Sequence, residues 1–173
     1  MMNVEWEVEK STKICAATGR RLEVGEIYYA ALREEGDRFI RQDFSREAWP
    51  QADKSRFFSY WRTRLAAEGE RRTRLAIDIN AAYSFFLALG EPDDNRKKVF
   101  RYITALVLIR KRLLRLDGTE RHADGSEWLT IFDRRAAKTI RVAVPPLCEE
   151  DLRQAQETLN QIFECRLAPE DSA

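Results

Sequence analysis

Hydrophobic and polar positions alternate from the start of the chain. Val4, Trp6 and Val8 interleave with Glu5, Glu7 and Glu9, the period of a strand with one buried face. A turn is expected at Thr18-Gly19-Arg20. Two further strands are predicted at residues 27–33 (IYYAALR) and 38–44 (RFIRQDF), joined by the loop Glu34-Glu35-Gly36-Asp37. Ser45 caps a short helical turn that ends near Trp49-Pro50.

The period then changes. Ile79, Ala82, Tyr83, Phe86 and Leu89 fall at helical spacing behind Asp78 as N-cap, and Gly90 and Pro92 stop the helix. Asp93 or Asp94 caps a second helix running to about Leu116. Its middle (Val99, Phe100, Tyr102, Ile103, Ala105 to Ile109) is apolar nearly all round, so it is expected at the centre of the fold. Residues 127–144 alternate again and predict a β-hairpin with its loop at 133–137. Pro145-Pro146 ends it, and a last helix begins at Glu149, with acids in its first turn and a stripe of Leu152, Ala155, Leu159, Ile162 and Phe163.

These elements predict an α+β fold. A β-rich lobe (1–53) is followed by a basic, aromatic connection (54–77). An α-hairpin, a β-hairpin and a C-terminal helix follow (78–167), and then a disordered tail (168–173). Its 173 residues suit one domain or two small lobes sharing a core.

The formal net charge of +1 gives no global case for nucleic acid, so any such case rests on local clustering. The N-terminus lacks an apolar stretch with a cleavage site, and no run approaches a membrane span. The three cysteines, Cys15, Cys148 and Cys165, are odd in number and widely spaced, which is no disulfide framework. A cytoplasmic location is expected.

One motif in the first lobe points to a metal. Cys15-Ala16-Ala17-Thr18-Gly19, Gly25-Glu26-Ile27-Tyr28-Tyr29 and Asp43-Phe44-Ser45-Arg46-Glu47-Ala48-Trp49 become two CxxC knuckles if cysteine stands at 18, 45 and 48. This layout resembles zinc-ribbon and treble-clef-like modules. The ligand positions here are Cys15, Thr18, Ser45 and Ala48. Alanine has no donor atom, and neutral hydroxyls are poor structural ligands, so one thiolate is left where four ligands are needed. The resemblance therefore implies a metal-free ribbon with no cofactor. Structural zinc supplies on the order of 10 kcal/mol in small modules. Burial of Trp6, Tyr28, Phe39, Phe44 and Trp49 is expected to replace it, and the four positions should still converge. The start C..TGR.L..GE.YY and the later LVLIRKRL at 106–113 also resemble an uncharacterised bacterial family, which implies no chemistry.

No catalytic constellation is present. His122 is the only histidine and sits in a polar loop; GxSxG, HExxH and P-loop patterns are lacking. Asp43 and Glu47 lie four apart, as paired surface carboxylates often do. A non-catalytic protein-interaction or adaptor module is the leading expectation, and it should expose an apolar patch.

The alternative is nucleic-acid binding. Residues 54–74 hold seven Lys or Arg, two Glu and four aromatics. Such a surface would use Arg56, Arg62, Arg64, Arg71, Arg72 and Arg74 on one face. It could add Arg96, Lys97 and Lys98 at the start of the second helix in a winged-helix-like arrangement. The competing expectation is that the aromatics are core and the arginine stems cover them.

Overall fold

The computed structural model describes residues 7–67 and 78–162. Among them are two sheets and three α-helices, an α+β architecture. The described residues separate into two compact units, one holding 7–67, 78–88 and 160–162 and the other 89–159.

The first unit is built on a four-stranded sheet of order β1-β3-β2-β4. Its strands are β1 (Glu7–Val8), β2 (Ile27–Glu35), β3 (Arg38–Ser45) and β4 (Ser59–Arg64). The hairpin β2–β3 turns more tightly than the sequence suggests: both strands extend into the expected loop, and Gly36 takes the left-handed conformation (φ 58°) that the two-residue turn requires. Two short 3-10 turns, Trp49–Gln51 and Lys54–Arg56, lead to β4. Ser45 Oγ accepts from the Ala48 N–H at 3.3 Å, the cap expected there. Val4 and Trp6 of the predicted first strand lie outside the described residues.

The segment read as a connection contains a strand. β4 pairs antiparallel with β2 from Ile27↔Arg64 to Leu32↔Ser59. Its alternation sends Ser59 and Trp61 inward and Tyr60, Arg62 and Arg64 outward. Helix α1 (Ile79–Leu89) covers the inward face. Phe85 meets Phe39 edge-on at 5.7 Å and Phe58 at 5.6 Å.

The second unit holds α2 (Asn95–Arg110) and a three-stranded meander, β5 (Leu114–Arg121), β6 (Glu127–Asp133) and β7 (Lys138–Val144). Asp94 Oδ1 caps α2 by accepting from the Arg96 N–H at 2.8 Å. The helix stops six residues before the predicted Leu116. Arg112 turns left-handed (φ 63°), and Leu114 and Leu116 pair with Asp133 and Ile131 instead. Pairing with β6 satisfies one backbone edge of this segment and the second edge of β6, so the predicted β-hairpin gains a third strand. Helix α2 packs against β5 and β7. Val99, Phe100, Ile103 and Leu108 are buried, but Leu106 is 39% exposed, so the helix is not enclosed all round as its composition suggested.

Helix α3 (Glu149–Ile162) begins where the acids predicted, and Asp151 Oδ2 accepts from the Cys148 N–H. Ala155, Leu159 and Ile162 form its buried stripe, while Leu152 is exposed. Phe163, Cys165 and the tail lie outside the described residues. No described helix is long and apolar enough to cross a membrane.

Candidate functional site

The two faces of the first sheet carry its chemistry. Tyr28, Phe39, Arg41, Asp43, Ser45 and Trp61 share the inward face, and register alone places them there. Arg41 and Asp43 form a buried ion pair at 3.0 Å, with side chains 3% and 1% exposed. Arg41 also donates to the Tyr28 hydroxyl at 3.2 Å and lies over the Trp61 ring. Ser11 Oγ donates to the second oxygen of Asp43. Each buried charge is thus met by hydrogen bonds, which a buried pair needs in order to persist. Asp43 lies on a strand and is committed to Arg41. Glu47 is exposed beside Arg20, so the two carboxylates do not share a helical face as their spacing suggested.

At the end of this face the four knuckle positions come together. Gly19 (φ 73°) lets the chain turn back so that its N–H donates to the Cys15 carbonyl at 2.8 Å. Cys15 N–H donates to the Arg20 carbonyl, and the strand residue Asp43 receives the Ala16 N–H. The Ser45 N–H donates to Cys15 Sγ at 3.3 Å, and the thiol faces Ser45 Oγ at 3.7 Å. Thr18, Ser45 and Ala48 line one open hollow of about 640 Å³. Burial raises the Cys15 thiol, but hydrogen bonds from the Thr18 side chain and the Ser45 backbone outweigh it, and the thiol is lowered to about 7. This donor set does not fit zinc: one sulfur, two hydroxyls and a methyl cannot form its tetrahedron. Among the described residues no group of three or more His, Cys, Asp or Glu could hold a metal ion.

The outward face differs. Ile27, Tyr29, Ala31 and Arg33 of β2 lie beside Gln42 and Phe44 of β3 and Tyr60, Arg62 and Arg64 of β4. The chain after β3 folds back over part of it. Trp49 stacks on Tyr29 (4.8 Å, 5° between planes) and touches Phe44, Phe57 and Tyr60. Lys54 Nζ sits 5.0 Å above the Trp49 ring.

Of the aromatics in the basic segment, Trp61 is buried, Phe57 and Phe58 are half-buried, and Tyr60 is 42% exposed. Arg56, Arg62 and Arg64 are all exposed. Neither Arg56 nor Arg62 has a side-chain ion pair among the described residues. Arg71, Arg72 and Arg74 lie outside the described residues.

A second hollow of about 260 Å³ opens on the same face, lined by Arg33, Gln42, Phe44, Asp53, Arg56 and Phe57, with Ala16 and Ala52 at its margin. Nothing in the sequence joined Arg33 and Gln42 to Arg56. Only the β2–β3 register and the return of residues 49–57 bring them together. Asp53 is held by the Ser55 hydroxyl and N–H, which keep its carboxyl below the usual range.

In the second unit, Arg96, Lys97 and Lys98 occupy the first turn of α2 and are half-buried. Lys98 borders a hollow of about 40 Å³ with Glu91, Pro92, Arg101, Trp128 and Ala143. Burial lowers the Arg101 guanidinium from its ordinary value, against the pull of Glu91. His122 is exposed, with Nε2 2.9 Å from Arg141 and its ring edge-on to Trp128.

Among the described residues the exposed large apolar side chains are Ile14 and Val24 in the β1–β2 connection, Tyr60 on β4, Leu87 on α1, Leu106 on α2, Leu116 on β5 and Leu152 on α3. Compared with known proteins, the chain matches no family model, no curated protein and no solved structure.

Proposed function

We propose that this chain is a non-catalytic binding protein that holds single-stranded nucleic acid on the outward face of its first sheet. The observation that carries this reading is the outward row of β4, where Tyr60, Arg62 and Arg64 stand exposed beside the Trp49–Tyr29 stack and Lys54. Arginines hold phosphates and aromatic faces stack bases, and an open antiparallel sheet presents both at strand spacing. A protein-docking surface would rest on a contiguous apolar patch; the exposed arginines and Tyr60 along β4 support the nucleic-acid reading instead.

The knuckle contributes architecture to this reading. We take the N-terminal lobe for a metal-free relative of the zinc ribbon. The convergence of Cys15, Thr18, Ser45 and Ala48 supports that kinship, with hydrogen bonds to sulfur where an ion would sit.

The test is fluorescence anisotropy with a labelled single-stranded oligonucleotide across a salt series. Affinity should fall as salt rises. The double variant Arg62→Glu, Arg64→Glu should weaken binding at least tenfold and lower the salt slope by about two, one for each lost phosphate contact. Absence of oligonucleotide binding at low salt, or equal binding of a poly-glutamate peptide, would refute the reading.

A further inference from the structure

We infer that the hollow between β2, β3 and the 49–57 return is a mononucleotide pocket. This deepens the nucleic-acid reading and rests on it. Its groups divide by chemistry. Phe44 and Phe57 meet edge-on at 5.6 Å and make an apolar wall. The Gln42 amide borders the hollow and has no hydrogen bond among the described residues. It offers a donor and an acceptor side by side, the pair that meets an exocyclic amine and its neighbouring ring nitrogen, as in adenine (N6, N7) or cytosine (N4, N3).

The cations are under-bonded. Arg56 has no ion pair among the described residues, and its charge helps to lower the Asp53 carboxyl nearby. Arg33 touches Glu35 at 3.4 Å, a long contact, and its Nε has no acceptor. Both guanidiniums border the hollow and keep donors for a phosphate. Asp53 stays charged, so it repels the phosphate from its own side and can accept from an exocyclic amine. At about 260 Å³ the hollow lies just under the usual range of small-ligand sites, about 300–1,000 Å³, so it suits one nucleotide and not a run of them.

The decisive experiment is calorimetry of the full chain with adenosine, cytidine and inorganic phosphate, and with the 5′-monophosphates of both nucleosides. Each monophosphate should bind at least tenfold more tightly than inorganic phosphate and than its own nucleoside. Arg56→Gln should weaken both nucleotides about tenfold while leaving adenosine unchanged. Gln42→Leu loses the donor–acceptor pair, so it should weaken nucleosides and nucleotides alike.

Both positions are solvent-accessible, and circular dichroism checks that the variants fold. Nucleotides binding no better than phosphate, or nucleotide affinity that Arg56→Gln leaves intact, overturns the inference. The two readings fail separately. An oligonucleotide that binds through Arg62 and Arg64 while mononucleotides do not bind removes the pocket and leaves the surface. Mononucleotide binding without oligonucleotide binding removes the surface.

Discussion

The two faces of the first sheet are made from the same residue types and end in opposite states. On the inward face Arg41 lies over Trp61, bonds Asp43 and Tyr28, and is nearly inaccessible. On the outward face Arg62 and Arg56 stand in solvent beside Tyr60 and Phe57. Arginine and aromatic content therefore does not mark a binding surface. The difference lies in whether the chain supplies the counter-charge. Where it does, the cation is structural. Where it does not, the cation is available to an external anion.

The knuckle at the rim of the closed face gives the largest expected effect. Thr18→Cys, Ser45→Cys and Ala48→Cys together should create a four-thiolate site that takes up one zinc ion. Zinc should then stabilise the variant by on the order of 10 kcal/mol in apparent folding energy. Cobalt substitution with its thiolate absorption bands, and denaturation with and without zinc, would report it. A variant that takes up no metal would remove the ribbon kinship.

Next in size, Asp43→Asn should cost about 3–5 kcal/mol, because Arg41 would be left buried without its counter-charge. Chemical denaturation measures this. A cost as small as that of a surface substitution would erase the contrast between the faces. On the open face, Tyr60→Ala should leave stability nearly unchanged but weaken oligonucleotide binding by about 1–3 kcal/mol, the loss of one stacked base. Anisotropy and denaturation on the same sample separate the two.

The smallest effect is a pH slope. Folding lowers the Cys15 thiol from 9.0 to about 7, so its contribution is present in full above pH 9 and is lost as pH falls through 7. Stability should therefore rise between pH 7 and 9. Cys15→Ala should flatten that rise, as denaturation midpoints at several pH values would show.

Much of the architecture was legible in the chain. Alternation located the β2–β3 and β6–β7 hairpins, and Asp94, Gly90 and the acids at 149–151 marked helix ends, because these signals act within a few residues. The strands β4 and β5 were harder to read. Ser59-Tyr60-Trp61-Arg62-Thr63-Arg64 does alternate, but its charges suggested a connection until β2 supplied hydrogen-bond partners. Leu114 and Leu116 continue a helical-looking run, yet cross-strand pairing with Asp133 and Ile131 wins. The candidate site was half visible: Arg56, Arg62 and Arg64 stood out as charges, whereas Arg33 and Gln42 belong to an ordinary strand pattern.

The sequence alone determined the α+β mix, the turn at Gly19, most helix ends and the lack of a thiolate or imidazole at positions 18, 45 and 48, since each follows from residue identity or short-range spacing. Tertiary structure decided which arginines are neutralised and which are open. That depends on strand register: moving a strand by one residue exchanges its two faces, and so would exchange Arg41 for its solvent-facing neighbours. Charge composition carries no record of that choice. It is made only when β3 aligns with β2 and the Cys15 turn closes on Asp43 and Ser45.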